Sequence, residues 1–583
     1  MEKCNEIRDI QRRNKNLMKK TKCNISNNKF NLPSFSLKER RSPIFIGEPA
    51  CNKLNGLMKN TVIIFIIILL SLPFGKGWGG ISFAQITSRQ DKQLLLKADK
   101  AFDFGDFLGA LKIYQTLYSL DSTDNETNFK LGVCNYEIKK FRVNSKRYFD
   151  KVSPVDFPEV NYYLGRLNHL LKQYDRAIYC YNQYKYFGGD NDFSRKEIDD
   201  LIEKCHTALL FETTPDKTII IKNLGPVVNT EYAEYVPLIP AEENFMIFTS
   251  RRKNPIWQKT DPLGDYFEDI YVSKKDSNTG NWTAPVMLDT NINSATHDAC
   301  TGLSADGEKL LIYRTSKDLK SGDIYESFYS NNKWSNPEIL SSIVNSPEYL
   351  ETSACYSPNG DIIFFSSNRP GGFGGKDLYL VRKLLNGKWG KPFNLGPAIN
   401  TEYDEDAPFV HPLGNILYFS SEGHKNMGGF DIFKSTFDEK GNFSEPENLG
   451  SPINTVDDDI FFVMNTGAFQ GYLSSEREGG YGLQDIYSVS FPVIALPLNV
   501  YNIHLVDASN SVIKDAEIKI INLENESTYG IYKPNDRTGK ILIISQKNKE
   551  YRIIIDAPGY EKFVSNIILD NNVNILYKLV KEK

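Results

Sequence analysis

Histidine is scarce in this chain, with six among 583 residues. None of them forms a His-x-x-x-His pair, the spacing at which one helix face presents two metal ligands. The cysteines form no Cys-x-x-Cys pair, which argues against a zinc site. The glycine-rich segment Gly371–Gly375 is not followed by Lys-Ser or Lys-Thr, so it does not match a phosphate-binding loop. We therefore predict no catalytic residue, no cofactor and no enzyme activity.

Excess positive charge is lacking over most of the chain. The formal net charge is −4, and residues 1–84 hold fifteen basic and five acidic residues, which leaves about −14 on residues 85–583. An acidic surface of this kind argues against a nucleic-acid partner.

A disulfide framework is also not indicated. Of the eight cysteines, Cys4, Cys23 and Cys51 precede the export segment described below. The remaining five are an odd number on helix and strand patterns, which favours buried thiols, with a single disulfide left open. These five are Cys134, Cys180, Cys205, Cys300 and Cys355.

One apolar run near the N-terminus indicates export. Lys59 precedes the run Val62–Leu70, and Ala84 before Gln85 ends a small-residue cleavage motif. The run is short for a membrane span. We predict a signal peptide over 58–84 with cleavage between Ala84 and Gln85, and an uncleaved anchor is the alternative.

Residues 1–57 precede the predicted signal, which normally begins a chain. We interpret them as an over-long start or a disordered basic extension. The mature protein is then expected in the periplasm, associated with the outer membrane.

A repeat dominates the rest of the sequence. An aspartate followed by an aliphatic and an aromatic residue recurs five times with a constant step of 54 residues. A fixed period in the range of roughly 40–55 residues, filled with short strands and turns, is typical of a β-propeller blade. The five starting residues are Asp269, Asp323, Asp377, Asp431 and Asp485.

Each repeat has the same internal order. In the third repeat an Asn359-Gly360 turn precedes the apolar strand Ile362–Ser367, a glycine-rich hairpin follows, and Asp377 begins the next strand. A tryptophan and a proline close the repeat. The tryptophans are Trp282, Trp334 and Trp389.

The fifth repeat lacks this closing strand. A matching strand, Thr218–Lys222, instead stands before the first repeat and runs into Asn223-Leu224-Gly225. We predict that it pairs as the outermost strand of the fifth blade and closes a five-bladed ring.

These repeats resemble the WD40-like repeats called PD40 over about residues 218–492, with their Ser-Pro-Asp-Gly turn and Gly-Gly-Phe-Gly-Gly hairpin. The resemblance implies a β-propeller, which we assign to residues 216–494. The first repeat departs from the pattern because its turn, Pro240–Asn244, has no glycine.

Helical repeats precede the propeller. Leu131-Gly132 recurs as Leu164-Gly165 after 33 residues, which is tetratricopeptide (TPR) spacing. Phe107–Tyr114 and Tyr174–Tyr181 resemble second helices of such repeats. We predict about three TPR repeats over residues 85–215.

Alternating strands return after the propeller. The segments Val500–Asp507 and Tyr551–Tyr560 predict a small β-sandwich over residues 495–583. It resembles the carboxypeptidase regulatory-like domain, which has no catalytic role. The expected fold class is therefore multidomain, with TPR helical repeats, a five-bladed propeller and a β-sandwich.

Two further residue groups are candidate sites. The acidic run Asp457, Asp458 and Asp459 is a weak calcium candidate, although repeated carboxylates more often cap turns. The paired serines at 366–367, 420–421 and 474–475 lack a partnered histidine, so we predict a structural role.

The order of domains resembles the PorE-type envelope proteins of Bacteroidota, which belong to the OmpA family and are associated with type IX secretion and gliding. Members usually continue into an OmpA-like domain that binds peptidoglycan. This sequence shows no such domain, so the resemblance implies no direct peptidoglycan binding. It implies a non-catalytic envelope scaffold, with a PorP-type outer-membrane protein as one candidate partner. The alternative is a propeller that binds a glycan or another small ligand.

Overall fold

The computed structural model describes residues 89–188, 193–261, 264–319, 321–438, 440–492, 498–546, 549–569 and 573–582. The predicted N-terminal extension, signal peptide and Ala84–Gln85 cleavage site lie outside these residues. No helix in the described ranges is long and apolar enough to cross a membrane.

The first part of the described chain is helical. A 3₁₀ helix, Lys139–Ser145, stands between the third and fourth α-helices. In chain order the α-helices are α1 Arg89–Asp103, α2 Phe107–Leu120, α3 Asn125–Glu137, α4 Lys146–Phe149, α5 Glu159–Leu170, α6 Tyr174–Phe187 and α7 Arg195–Thr213.

Successive helices pack as antiparallel pairs, α1 on α2 and α5 on α6. The repeated Leu-Gly pairs mark the closest approach between helices of a pair. A Cβ at Gly132 would lie 2.3 Å from the Phe149 ring, and one at Gly165 would lie 2.4 Å from the Tyr181 ring. Glycine is therefore required at both positions so that an aromatic ring can lie against the helix backbone.

Short strands follow the helices. In chain order they are β1 Ile220–Asn223, β2 Glu234–Leu238, β3 Phe245–Ser250, β4 Asp269–Lys274, β5 Val286–Met287, β6 Asp298–Leu303, β7 Lys309–Thr315, β8 Gly322–Ser330, β9 Lys333–Trp334, β10 Glu338–Ile339, β11 Glu351–Tyr356, β12 Ile362–Ser367, β13 Asp377–Arg382, β14 Phe393–Asn394, β15 Glu405–Val410, β16 Ile416–Ser421, β17 Asp431–Thr436, β18 Glu447–Asn448, β19 Asp459–Met464, β20 Gln470–Ser475 and β21 Asp485–Ser490.

These strands form five antiparallel sheets, which we number I to V. Sheet I is β2-β3-β4-β5, sheet II is β6-β7-β8-β10 with β9 paired to β8, sheet III is β11 to β14, and sheet IV is β15 to β18. Sheet V is β19-β20-β21-β1. The first strand of each sheet contacts the first strand of the next, and β19 contacts β2. The sheets thus stand around a closed ring, which is the arrangement of a β-propeller.

Strand β1 closes this ring. It pairs antiparallel with β21, with Ile221 opposite Val489 and Asn223 opposite Tyr487. This is the strand exchange that the sequence predicts. The exchange joins the beginning of the ring to its end and leaves β21 no open edge.

The tryptophans occupy a different place from the one the repeat suggests. Trp282 and Trp389 form single bridges with Lys275 and Lys383, and Trp334 lies in β9. Each therefore closes the turn that precedes the outermost strand of its sheet. The outermost strands of sheets I to IV are only two residues long.

The innermost strands share a bulge. Their register with the second strand shifts in every sheet, for example between Tyr235 and Leu238. At the equivalent bulge position Val236, Ala407 and Phe461 have φ of 54°, 53° and 60°. Left-handed backbone is uncommon outside glycine, above all at a β-branched residue such as valine.

A β-sandwich ends the described chain. Its strands are β22 Leu498–Val506, β23 Glu517–Asn522, β24 Thr528–Tyr532, β25 Lys540–Gln546, β26 Lys549–Asp556, β27 Phe563–Leu569 and β28 Val573–Lys578. One sheet has the order β25-β22-β28, and the other has β24-β23-β26-β27. Alternating side chains such as Ile503, Ile518 and Ile553 fill the core between the sheets.

Candidate functional site

Three of the repeated aspartates, Asp377, Asp431 and Asp485, cap hairpins. Asp377 Oδ2 accepts hydrogen bonds from the Phe373 amide at 2.7 Å and from Asn394 Nδ2 at 2.7 Å. Asp485 makes the same pair of bonds with Tyr481 and Asn223. The carboxylate therefore ties the hairpin before it to the outermost strand of its own sheet.

The paired serines of sheet III form hydrogen bonds within the ring. Ser366 Oγ donates to the Glu405 carbonyl of the next sheet at 2.7 Å. Ser367 Oγ donates to the Glu351 carboxylate at 2.6 Å. Both hydroxyls are therefore used in contacts inside the ring.

A buried acid begins each innermost strand, and in four sheets an arginine neutralises it. The Nη2 of Arg369 lies 3.1 Å from Glu351, and the Nη2 of Arg477 lies 2.7 Å from Asp459. The other two pairs are Arg252 with Glu234 and Arg314 with Asp298. These are structural ion pairs inside the ring.

The calcium candidates have protein partners. Asp459 accepts from the Thr455 amide at 2.6 Å in addition to its bond with Arg477. Asp458 accepts from the Phe430 amide at 3.0 Å. Burial raises the pKa of Asp457 to about 7. No group of three or more histidine, cysteine or acidic residues in the described chain is arranged to hold a metal ion.

The five later cysteines are free thiols, and all but the half-buried Cys180 are buried. Burial raises the pKa of Cys300 and of Cys355 to about 12. These two side chains therefore lack the thiolate character that nucleophiles and metal ligands need.

The central channel of the ring is apolar and narrow. All five innermost strands line it, with side chains such as Leu238, Leu303, Phe409 and Val463. Its cavity volume is about 50 Å³, far below the roughly 300–1,000 Å³ of pockets for drug-sized ligands. The channel itself is too small to hold a sugar.

The ring has two different faces. Each innermost strand begins at one face and ends at the other, so the loops at its two ends lie on opposite sides. We call the face with the hairpins 368–376, 422–430 and 476–484 the helical face, because the helices contact it. The opposite face carries turns such as 240–244 and 304–308.

Helix α7 lies along the helical face. Lys196 binds Glu402, and Asp200 accepts from the Tyr403 hydroxyl. One further turn along, Lys204 Nζ donates to the Glu422 and Gly428 carbonyls at 2.9 and 3.1 Å. The spacing of four residues places all these contacts on one side of α7. Sequence reasoning missed this stripe because its residue types are those of an exposed helix.

Met427 joins the helices to the ring. It is fully buried, and it belongs to one core with Tyr181, Ile198 and Ala208 of the helices. Its carbonyl accepts from His169 Nε2 at 2.8 Å, and burial lowers the pKa of that histidine to about 3. The tip of one hairpin is thus part of the helical core.

The sandwich contacts the opposite face. Thr538 Oγ1 donates to Glu308 at 2.6 Å, and Asn502 binds Glu242. Arg537 lies 3.9 Å from the ring centroid of Phe328. These contacts are mainly polar, whereas the helices share a hydrophobic core with the ring.

A polar cluster lies at the channel mouth on the helical face of sheets I and II. Glu268 accepts from the Tyr235 hydroxyl at 2.5 Å and from Arg251 at 2.8 Å, and the Nδ1 of His297 lies 3.2 Å away. Burial opposes ionisation of Glu268, but Arg251 and His297 outweigh it and hold its pKa well below the usual range. Asp261 also binds Arg251. The only sequence signal for this cluster was His297, one of six scattered histidines.

No family model matches the sequence, and no curated protein matches it. Among solved structures, a TolB-like protein of Agrobacterium tumefaciens aligns with 47% of this chain and 98% of its own, at 16% identity and a TM-score of 0.25. A glycoside hydrolase-like protein of Bacteroides ovatus aligns with 47% of this chain and 96% of its own, at 10% identity and a TM-score of 0.31.

A β-xylosidase/α-arabinofuranosidase from a compost metagenome aligns with 50% of this chain and 98% of its own, at 12% identity and a TM-score of 0.31. Likenesses this weak carry no conclusion about function. The fold assignment rests on the strand topology described above.

Proposed function

We propose that this protein is a non-catalytic scaffold of the bacterial envelope that holds partner proteins. The observation that carries the proposal is the placement of two domains on opposite faces of a rigid ring. Helices on one face and a sandwich on the other can bind two partners at a fixed separation. The polar groups that the repeat singles out are used inside the ring, as caps and ion pairs.

The proposal also assigns a domain type to each part of the chain. We interpret the helices as TPR-type repeats and the five sheets as the blades of a five-bladed PD40-type propeller, followed by a regulatory-like sandwich. The predicted signal peptide supports a location in the periplasm, near the outer membrane, as part of this proposal. The resemblance to PorE-type proteins suggests a PorP-type outer-membrane partner and a role in type IX secretion or gliding.

Crosslinking in intact cells tests the scaffold. The tagged full chain is crosslinked, captured and analysed by mass spectrometry beside a truncation that lacks residues 85–210. We expect an outer-membrane or secretion protein to be captured by the full chain and lost with the truncation. Failure of the full chain to capture any envelope protein would overturn the proposal.

A glycan-binding propeller is the second candidate, and one surface favours it. The loop between β3 and β4 in sheet I carries Trp257 and Tyr266, and Arg251 and Glu268 of the polar cluster stand at the two ends of this loop. Tyr266 packs at 5.5 Å against Tyr232. Aromatic faces beside charged groups are typical of sugar sites. Thermal stability measured against a panel of soluble oligosaccharides tests it, with Trp257→Ala as the matched variant. A stabilising glycan whose effect disappears in this variant would support the second candidate.

A further inference from the structure

Strand β27 of the sandwich has a neighbour on one side only. Its seven residues, Phe563–Leu569, pair antiparallel with β26 without a shift of register. Among the strands that the structure describes, none pairs with the other edge of β27. An edge strand of this kind presents a row of backbone N–H and C=O groups to which a further strand can bind.

Several other sheet edges in this protein are protected, and β27 is not. The outermost strands of sheets I to IV are only two residues long. At the far edge of the same sheet, β24 pairs with β23 through a register shift between Ile520 and Ile521. Short length, bulges, prolines and charges all discourage the addition of a strand. Strand β27 has seven residues with no proline, no charged side chain and no bulge.

The outer face of β27 exposes aliphatic side chains. Phe563 and Ile567 pack against the core of the sandwich. Val564, Asn566 and Ile568 alternate with them and are exposed, and the exposed fractions of Val564 and Ile568 are 55% and 61%. A second strand laid beside β27 would cover both aliphatic side chains through cross-strand contacts.

The sandwich docks on the ring through its other sheet. Asn502 on β22 binds Glu242, and Lys540 at the start of β25 donates to the Asp306 carbonyl. Strands β22 and β25 belong to the sheet that does not contain β27. The contacts that hold the sandwich on the ring therefore do not use the open edge.

The residue order of β27 is complementary to itself. If two copies pair antiparallel about Asn566, Val564 of each copy lies opposite Ile568 of the other. The two Asn566 amides then meet on the two-fold axis, where each can donate to the oxygen of the other. In the sequence, Lys562 stands four residues before Asn566 and Asp570 four residues after it, so the same pairing sets unlike charges against each other at both ends. Self-complementarity is what a two-fold interface requires.

We propose that β27 is a dimerisation edge, at which the β27 strands of two copies of this chain pair antiparallel about Asn566 and join their four-stranded sheets into one. The neighbouring edge strand β28 lacks this symmetry, because the same operation would set Val573 against Lys578. A single pair of strands forms a small interface, so we expect a weak dimer. Such a dimer is independent of the proposed scaffold function.

Analytical ultracentrifugation of the purified full chain tests the dimer. We expect the weight-average mass to rise from one chain toward two over roughly 1–100 μM. Ile568→Lys puts a charge on the edge strand and should raise the dissociation constant about tenfold or more. Ile531→Lys is the matched control, because Ile531 is 52% exposed on β24 at the far edge of the same sheet, and it should leave the constant unchanged. A chain that stays monomeric, or a dimer that both variants or neither variant weakens, would overturn the proposal.

Asn566→Cys tests the register and does not depend on a change in affinity. Residues directly opposite each other in an antiparallel pair have Cα atoms roughly 4.5–5.5 Å apart, which is within the span of a disulfide. Mild oxidation should therefore link two copies of this variant on a non-reducing gel, whereas Ile531→Cys should give no more linked dimer than the wild type. A chain that dimerises in the centrifuge but is not linked through Asn566→Cys would show that the interface lies elsewhere.

A strand of a different protein is the competing occupant of this edge. Tagged and untagged copies produced in the same cells distinguish the two. Capture of the untagged copy with the tagged one, abolished by Ile568→Lys and kept by Ile531→Lys, would support the dimer. Capture of another protein that shows this same pattern, without the untagged copy, would overturn it. An envelope partner that is still captured by Ile568→Lys would leave the scaffold function standing after the dimer is lost.

Discussion

Sheet IV lacks the arginine that neutralises the buried acid in the other four sheets. His424 occupies the place of the arginine. Its Nε2 lies 2.9 Å from the Ile399 carbonyl, and the equivalent carbonyl of sheet III, that of Val344, accepts from Arg369 at 2.7 Å. Burial lowers the pKa of His424, so its imidazole is neutral near pH 7. Among the described residues, Glu405 is thus a buried acid that forms no ion pair with a cation.

The pH dependence of stability should report this difference. Burial raises the pKa of Glu405 to about 7, although bonds from Thr401 and Ser421 oppose the shift. The native state then holds this proton more tightly than the unfolded chain. Stability from this group is present at low pH and is lost as the pH rises from about 4.3, the ordinary carboxyl value, toward 7. We expect a loss on the order of 2 kcal/mol for this one group.

Glu405→Gln isolates the effect, because other buried acids such as Asp431 shift in the same direction. Urea unfolding of both proteins at pH 5 and pH 8 gives the difference in unfolding free energy. From pH 5 to pH 8 the unfolding free energy of the variant should rise by about 2 kcal/mol relative to that of the wild type. A difference that stays constant with pH would contradict the assignment.

At the scale of elements, equivalent hairpins have acquired different uses. The hairpin tips of sheets III, IV and V carry Phe373, Met427 and Tyr481, each four residues before the repeated aspartate. Phe373 and Tyr481 are 50% and 52% exposed, whereas Met427 is fully buried among helices. The same backbone motif therefore carries a half-exposed side chain in sheets III and V and a side chain buried against the helices in sheet IV.

Truncating these tips should therefore have unequal costs. Met427→Ala leaves a cavity in the shared core and should lower the unfolding free energy by about 2–4 kcal/mol. Phe373→Ala is the matched control and should cost less than about 1 kcal/mol, because half of that side chain is already in water. Chemical denaturation measures both. Equal losses in the two variants would show that the helices are not anchored through Met427.

The turn glycines are a second element-level test. Gly360 has φ of +72°, and a Cβ there would meet no atom within 4 Å. Gly360→Ala therefore isolates the backbone cost, which we expect to be about 1 kcal/mol. A thermal melt of the two proteins measures it. Sheet I and sheet V accept Glu243 and Ala468 in the left-handed region, so the loss should be small enough to leave the fold intact.

For the whole molecule, the contact between helices and ring and the contact between sandwich and ring predict different cooperativity of unfolding. The helices share the Met427 core with the ring, and the sandwich touches it through polar groups such as Thr538 and Glu308. Calorimetry should show helices and ring unfolding in one transition and the sandwich in another. Removal of residues 495–583 should leave the first transition within a few degrees, whereas removal of 89–215 should lower it. Three separate transitions would contradict the shared core.

Much of this architecture could be predicted from the sequence. The 54-residue step gave the five sheets, and the match between Asn223-Leu224-Gly225 and later repeats gave the exchanged strand. The docking of the helices could not be predicted, because Met427 is one ordinary residue in a repeated hairpin. Contacts between separately folded parts leave little periodicity in a sequence.

Strand β1 follows α7 directly, and this order has a mechanical consequence. A tension applied to the helices would reach the ring through residues 214–219. It would act on the four-residue pairing between β1 and β21, which closes the ring. The contacts of Lys196, Asp200 and Lys204 bypass that linker and carry load directly into sheet IV and the loop that joins it to sheet III. Tension on the helices is therefore shared with these contacts, so separation of β1 from β21 need not be the first event.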